Sequence, residues 1–324
     1  MNEAYPTKRP MGEFRADVRD GTSGFPADFR PEDALLPWID IHGHHHNLTW
    51  NELEKFALTG CSAVVMAVGN IGSSSPYRPM SAEDVRTQWD RMIRFSHNLS
   101  RSFPYEAYAA IGVHTTNGPV DRADSLIEMI PEYAELDEVV ALSETGITVV
   151  QEYEALPISE QRSLIEKQLR MAGETDLPAV LHTPTIGKAD PDYVSKSTET
   201  HSTGEPVFDS DSPKLDGAQI NVEVAAEAGF PEDRLVLTHA HRTTAPWILK
   251  NTDCYASFTV GNATRDVSPD DVRSAIETYG PDRIMIDTDS AAIYDVDPFA
   301  LKRTVFHLLR SGIDRDDVRR VVFE

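Results

Sequence analysis

Histidine fills four of the five positions from His42 to His46, directly behind the apolar run that begins at Trp38. Imidazole offers a lone pair to transition metals and titrates near neutral pH, so such a cluster suits metal binding or proton transfer. Alternate residues at a strand end point to one side, so His42 and His44 can reach a single ion. An expression tag would sit at a terminus, whereas this cluster is internal. Further candidates stand at comparable junctions, each ending a short apolar run: His114, Glu144, His182, His239 with His241 two residues on, and Asp287 with Asp289. Buried ionisable groups are costly unless paired or metal-bound, and that cost argues for one shared centre. His97 and His307 fall in helical stretches and His201 in a polar insert, away from these junctions.

The elements that must carry these side chains are readable from the hydrophobic pattern. Apolar runs recur at "WIDIH", "SAVVMAV", "AYAAIGV", "EVVALSE", "PAVLHT", "RLVLTHA", "CYASFTV" and "RIMIDTD". They are mostly continuous rather than alternating, as strands buried on both faces should be. Helical spacing separates them. Val85, Trp89, Met92 and Ile93 share a face after a capping box at Ser81 and Asp84, and so do Leu164, Ile165, Leu169 and Ala172. Ser268 caps a helix with Pro269 at its first position and Val272, Ile276 and Tyr279 inward; Asp297 and Pro298 start another that turns in Leu301, Val305 and Leu308. This alternation predicts an α/β fold, a (β/α)8 TIM barrel over 37–324, which gathers the strands' carboxyl ends on one rim. The runner-up, a doubly wound open sheet, normally brings a glycine-rich phosphate loop, and neither G-x-G-x-x-G nor G-x-x-x-x-G-K-[ST] occurs. Residues 1–36 read as an N-terminal extended arm. The polar, aperiodic stretch 184–215 reads as a lid-like insertion after the fifth strand.

Composition narrows the class further. The 324 residues include 30 basic and 53 acidic side chains, a net charge of -23, and only eight of the basic ones are Lys. A Lys-poor acidic surface is expected of a halophilic protein, and it repels polyanions at low salt. In molar salt the Debye length falls to about 3 Å, so the charge does not by itself exclude a phosphate-bearing substrate. No apolar run approaches the roughly 18–20 residues that span a bilayer, and the start of the chain has no apolar signal core, so a cytoplasmic protein without membrane contact is expected. Cys61 and Cys254 lie in apolar, strand-like contexts and are expected to be buried reduced thiols.

These residues also resemble a known family, the TatD-type metal-dependent hydrolases of the amidohydrolase-like barrel superfamily. "IDIHGHHH" resembles its opening D-x-H-x-H, "AAIGVHTTN" its third-strand G-x-H-P, and "VVALSETGI" its fourth-strand "IGEIGLD". "PAVLHTP" is similar to "PVIIHTR", "LVLTHAH" carries the sixth-strand His, and "IMIDTDSA" resembles "LLETDAP". The resemblance implies one or two divalent ions held by His42, His44, Glu144, His182, His239 and Asp289. Glu144 would bridge, with His42 and His44 on one ion and His182 and His239 on the other. It implies a metal-activated water that cleaves a phosphoester or an amide/ester bond. The alternatives are a metal-assisted isomerase or lyase and a catalytically silent metal-binding barrel. Asp289 is the candidate for moving the water's proton, and Asp287 for orienting a ligand. His114 and His241 are expected to face substrate; of His45 and His46, one should point to the mouth and one away. Imidazole-rich ligation suits zinc, while manganese, nickel or magnesium would accept the carboxylates. The chain departs from the pattern at Pro184, where the family has arginine, and at Thr115, where it has proline. With no basic, aromatic-interleaved stripe either, a small-molecule or phosphoester substrate is favoured over nucleic acid. Nothing in the pattern sets an oligomeric state.

Overall fold

The computed structural model describes residues 35–68, 81–115, 123–148, 156–184, 213–261, 267–291 and 296–324. Every apolar run becomes a strand: β1 Trp38–Gly43, β2 Cys61–Ala67, β3 Glu106–Ile111, β4 Val139–Leu142, β5 Ala179–Leu181, β6 Leu235–Leu237, β7 Tyr255–Thr259 and β8 Ile284–Asp287. They form one sheet in sequential order, each paired in parallel with the next. The two ends of the sheet meet. Asp289 N donates to His42 O at 2.9 Å, and His44 N donates to Ser290 O at 2.8 Å. The fold is a (β/α)8 barrel.

Helices follow the strands: α1 Trp50–Leu58, α2 Ala82–Ser102, α3 Ala123–Ile127, α4 Ile130–Ala134, α5 Ile158–Glu174, α6 Pro213–Ala228, α7 Ala245–Asn251, α8 Pro269–Tyr279, α9 Ala300–Arg310 and α10 Arg315–Phe323. Ser81 accepts from Asp84 N at the head of α2, and Ser268 forms a full capping box with Asp271 at the head of α8. The start expected at Asp297–Pro298 comes later, at Ala300. Asp297 Oδ1 accepts from Phe299 N and holds a turn there before the helix begins. None of the described helices is long and apolar enough to cross a membrane.

Two apolar clusters result. The larger lies between strands and helices and contains the predicted faces of α2, α5, α8 and α9. The smaller takes one residue from each strand, Ile41, Val65, Ala110, Ala141, Val180, Val236, Tyr255 and Met285, and fills the barrel interior. Cys61 and Cys254 are free and buried, and burial pushes the Cys254 thiol up to about 11.

Most of the expected arm and insertion lies outside the described residues. Their inner edges belong to the barrel. Leu36 is fully buried in the larger cluster, and its carbonyl accepts from Lys302 Nζ at 2.8 Å. Residues 213–215 already form the first turn of α6.

Candidate metal centre

The carboxyl-end rim brings the candidates together. His42 Nε2 lies 3.1 Å from Glu144 Oε1, and His182 Nδ1 lies 3.3 Å from the same oxygen. His44 Nε2 lies 3.5 Å from Glu144 Oε2 and 3.2 Å from Asp289 Oδ1. One potential ligand atom each from His42, His44, Glu144 and Asp289 falls within 4.8 Å of the others, and a second such group is His114, Glu144 and His182. Glu144 belongs to both. All six side chains are buried.

Reaching this arrangement needs local irregularity in the backbone. Asp40 pairs with Val64 and Gly43 with Met66, so β1 takes three steps where β2 takes two. Such a bulge re-aims side chains. Ile41 packs in the interior cluster, and its neighbour His42 nevertheless reaches the same interior side. His239 and Asp289 have φ of 56° and 44°, left-handed values that non-glycine residues avoid and that concentrate at functional sites. Gly146, with φ of 142°, lets the chain after Glu144 run against His182: a Cβ there would lie 2.2 Å from the His182 carbonyl oxygen.

Hydrogen-bond arithmetic tests whether a cation fits. His44 Nδ1 lies 3.1 Å from Ala67 O, and a carbonyl only accepts, so Nδ1 carries a proton and the neutral ring presents its lone pair at Nε2. Thr259 Oγ1 spends its proton on Asp287 Oδ1 at 2.8 Å. His239 Nδ1, 2.9 Å from Thr259 Oγ1, must therefore donate, which puts the lone pair of the neutral ring on Nε2. His44 Nε2, Glu144 Oε2 and His182 Nε2 are buried without a hydrogen bond. Lone pairs converging on carboxylate oxygens need a positive charge between them. The donor set fits a divalent metal.

The same electrostatics appears in the titration of the groups. Burial opposes charge on His42, but Asp287 and Glu144 outweigh it and hold its pKa well above the ordinary value. Burial is likewise outweighed at His44, by Glu144 and Asp289, so its pKa is raised. Burial opposes ionisation of Glu144, and His44, His182 and His42 overcome it and hold the carboxyl well below the usual range. His114, where burial prevails, is lowered to about 4.

The remaining sequence candidates separate. His45 turns away from the centre: its Nε2 lies 2.9 Å from Asp40 Oδ2 and its ring packs edge-on against Phe56 at 4.5 Å. His46 stands edge-on to His44, ring centroids 6.1 Å apart, with its pKa lowered to about 3 by burial and then by His44 and His45. His114 lies within the second cluster, its ring 5.5 Å from that of His182. His239 stands outside both 4.8 Å groups, with its ring 4.8 Å from His182 and 5.4 Å from His42. His241 is half-buried, outside both groups, with Nδ1 3.3 Å from Thr243 Oγ1. Asp287 accepts from Ser257 and Thr259, and its Oδ1 lies 3.7 Å from His42 Nδ1. Sequence reading assigned no role to Asp40, Thr259 or Gln168. Gln168 links the two strand exits that carry His114 and Glu144, accepting from Val113 N at 2.8 Å and donating to Thr145 Oγ1 at 2.9 Å.

This ligand-bearing barrel has counterparts among known proteins. The family model described as TatD related DNase matches residues 39–308. The chain belongs to this family. An uncharacterized metal-dependent hydrolase of Methanocaldococcus jannaschii is 22% identical over 287 residues, which is 88% of this chain and 96% of that protein. Among solved structures, a TatD-like protein from Archaeoglobus fulgidus matches with a TM-score of 0.57 at 18% identity, covering 88% of this chain and 96% of its own. A phosphotriesterase homology protein from Escherichia coli, complexed with phosphate in its active site, matches with a TM-score of 0.59 at 12% identity, covering 91% and 97%. At these identities the two structures speak for the barrel alone. With the family and the M. jannaschii relative, this TatD-family protein is a metal-dependent hydrolase, and the comparisons give no support to a non-hydrolytic or silent barrel.

Proposed function

We propose that this TatD-family chain uses a two-ion centre to hydrolyse a small phosphoester. The observation that carries the reading is Glu144, whose carboxylate belongs to both clusters of buried ligand atoms. His42, His44 and Asp289 would hold one ion with Glu144. His182 and His239 would hold the other across the same carboxylate, with His114 beside them. Imidazole-rich ligation favours zinc, and manganese, nickel or magnesium can replace it at the carboxylates. A divalent ion held by these residues would supply a Lewis acid, lowering the pKa of a water beside it toward neutrality and polarising the scissile oxygen. The protein's own groups do the rest. Asp289 accepts the water's proton at a carboxylate oxygen and passes it to the leaving group. Asp287 places its negative charge beside the His42 ring, 3.7 Å from Nδ1, and Thr259 fixes the His239 tautomer. The acidic balance of the chain is an adaptation to high salt, in which an anionic substrate is not repelled from the rim.

Two measurements test this reading. With zinc, manganese or magnesium added, a panel of phosphodiester, phosphomonoester, lactone, amide and single-stranded DNA substrates is expected to show metal-dependent turnover of the small phosphoesters. Absence of any phosphoester turnover by a metal-loaded chain overturns the assigned bond. Replacing His182 and His239 together by Ala is expected to lower bound metal from two equivalents to one, and unchanged metal content overturns the second ligand set.

A further inference from the structure

Lys214, near the start of α6, is the single buried Lys or Arg among the described residues. Its Nζ donates to the carbonyl oxygen of His239 at 2.9 Å. Seven residues on, on the same helical face, Asn221 Nδ2 donates to the carbonyl oxygen of His182 at 2.9 Å, and Asn221 Oδ1 accepts from Ile147 N at 3.1 Å. Between them, Gly217 abuts the buried Pro184: a Cβ on Gly217 would lie 2.3 Å from Pro184 Cδ and 2.4 Å from Cγ. Spacing of three, four and seven puts Lys214, Gly217 and Asn221 on one stripe of the helix.

We propose that this stripe of α6 is a positioning device for the second ion alone, an inference that rests on the two-ion reading above. His182 lies just beyond β5, where its N–H still bonds to Thr145 O in an isolated bridge at Gly146, and His239 lies just beyond β6. Their buried carbonyls still need donors. For His239 the requirement is sharper, because its left-handed φ must be held by its surroundings. Lys214 and Asn221 supply those donors, and Gly217 allows the helix close enough for both to reach. The ligands of the first ion are fixed elsewhere. His42 O and His44 N bond to the backbone of Asp289 and Ser290 across the β8–β1 seam, and Asp40 ties that seam to Thr288. The backbones of the two halves thus have separate supports, while Glu144 and the Thr259–Asp287 pair are shared between them.

The test is metal binding by the full-length chain, read by equilibrium dialysis with elemental analysis and by the visible spectrum of the cobalt(II)-loaded protein. K214M keeps the side-chain stem and removes the donor. N221D keeps the acceptor for Ile147 N and removes the donor to His182. Each is expected to retain the first equivalent and to weaken the second about 10–100-fold, the usual effect of losing a group that orients a metal ligand. K214R is expected to restore it. G217A should act in the same direction by pushing α6 off Pro184. Thermal melting of the metal-free proteins identifies any variant that has lost its fold, and N221D and K214M serve as checks on each other. Two equivalents bound with unchanged affinity in both variants overturn the inference while leaving the two-ion reading intact. So does equal weakening of both ions in folded variants. A wild-type chain that binds no second equivalent overturns the two-ion reading and this inference with it.

Discussion

Asp289 combines a ligand's position with a backbone that few residues tolerate. Its φ is 44°, its N–H is spent on His42 O, and its Oδ1 lies 3.2 Å from His44 Nε2. A carboxylate held this firmly is suited to accepting a proton without rearrangement, as the proposed function asks of it. D289N keeps the shape and removes the basic oxygen; kcat is expected to fall by roughly 10²–10⁴-fold, the usual worth of a general base. A variant with wild-type kcat would remove Asp289 from proton transfer. The residue types and their order were legible at this scale, because imidazoles and carboxylates recur at the ends of apolar runs. Their directions were not. Strand alternation from Ile41 would send His42 outward, and only the bulge between Asp40 and Gly43 brings it in. Nor does periodicity say which of His45 and His46 turns away, since Asp40 and Phe56 decide it from other parts of the fold. His114 is within reach of Glu144, and the side chain that bonds its neighbour Val113 is Gln168, over fifty positions downstream, which no local pattern contains.

The seam between β8 and β1 shows how an element-level joint supports the centre. Asp40 is fully buried, and its carboxylate accepts from Thr288 N at 3.1 Å, from Thr288 Oγ1 and from His45. D40A leaves those donors buried without a partner. The expected loss is about 1–3 kcal/mol for each donor left unpaired, read as a lower midpoint in urea unfolding of the metal-free chain. A change near zero would mean the seam closes without Asp40. Eight strands were readable because each buries both faces and so appears as a continuous apolar run. The caps at Ser81 and Ser268 were readable because their partners sit three residues away in sequence. Element edges were less so. Leu36 follows a polar stretch, yet it is held by Lys302 of α9. Lys214 looks like part of a polar loop, yet its ammonium has a buried carbonyl to meet. Long-range partners set these edges, and no local pattern contains them.

At the scale of the whole molecule, a net charge of -23 repels itself in dilute buffer. Raising potassium chloride from about 0.1 M to about 1 M shortens the Debye length from about 10 Å to about 3 Å, so the melting temperature is expected to rise. A falling or flat melting curve would argue against adaptation to salt. The same scale governs when the centre comes into being. Asp40 and Thr288 are 248 residues apart, and His42 and Asp289 are joined across that same seam. During synthesis the amino-terminal strands emerge first. His42 and His44 must then wait for nearly the entire polypeptide before Asp289 arrives opposite them. On the proposed two-ion reading, cation capture by that half of the centre is a late event of maturation, and a nascent chain halted before β8 carries His42 and His44 without Asp289 opposite them.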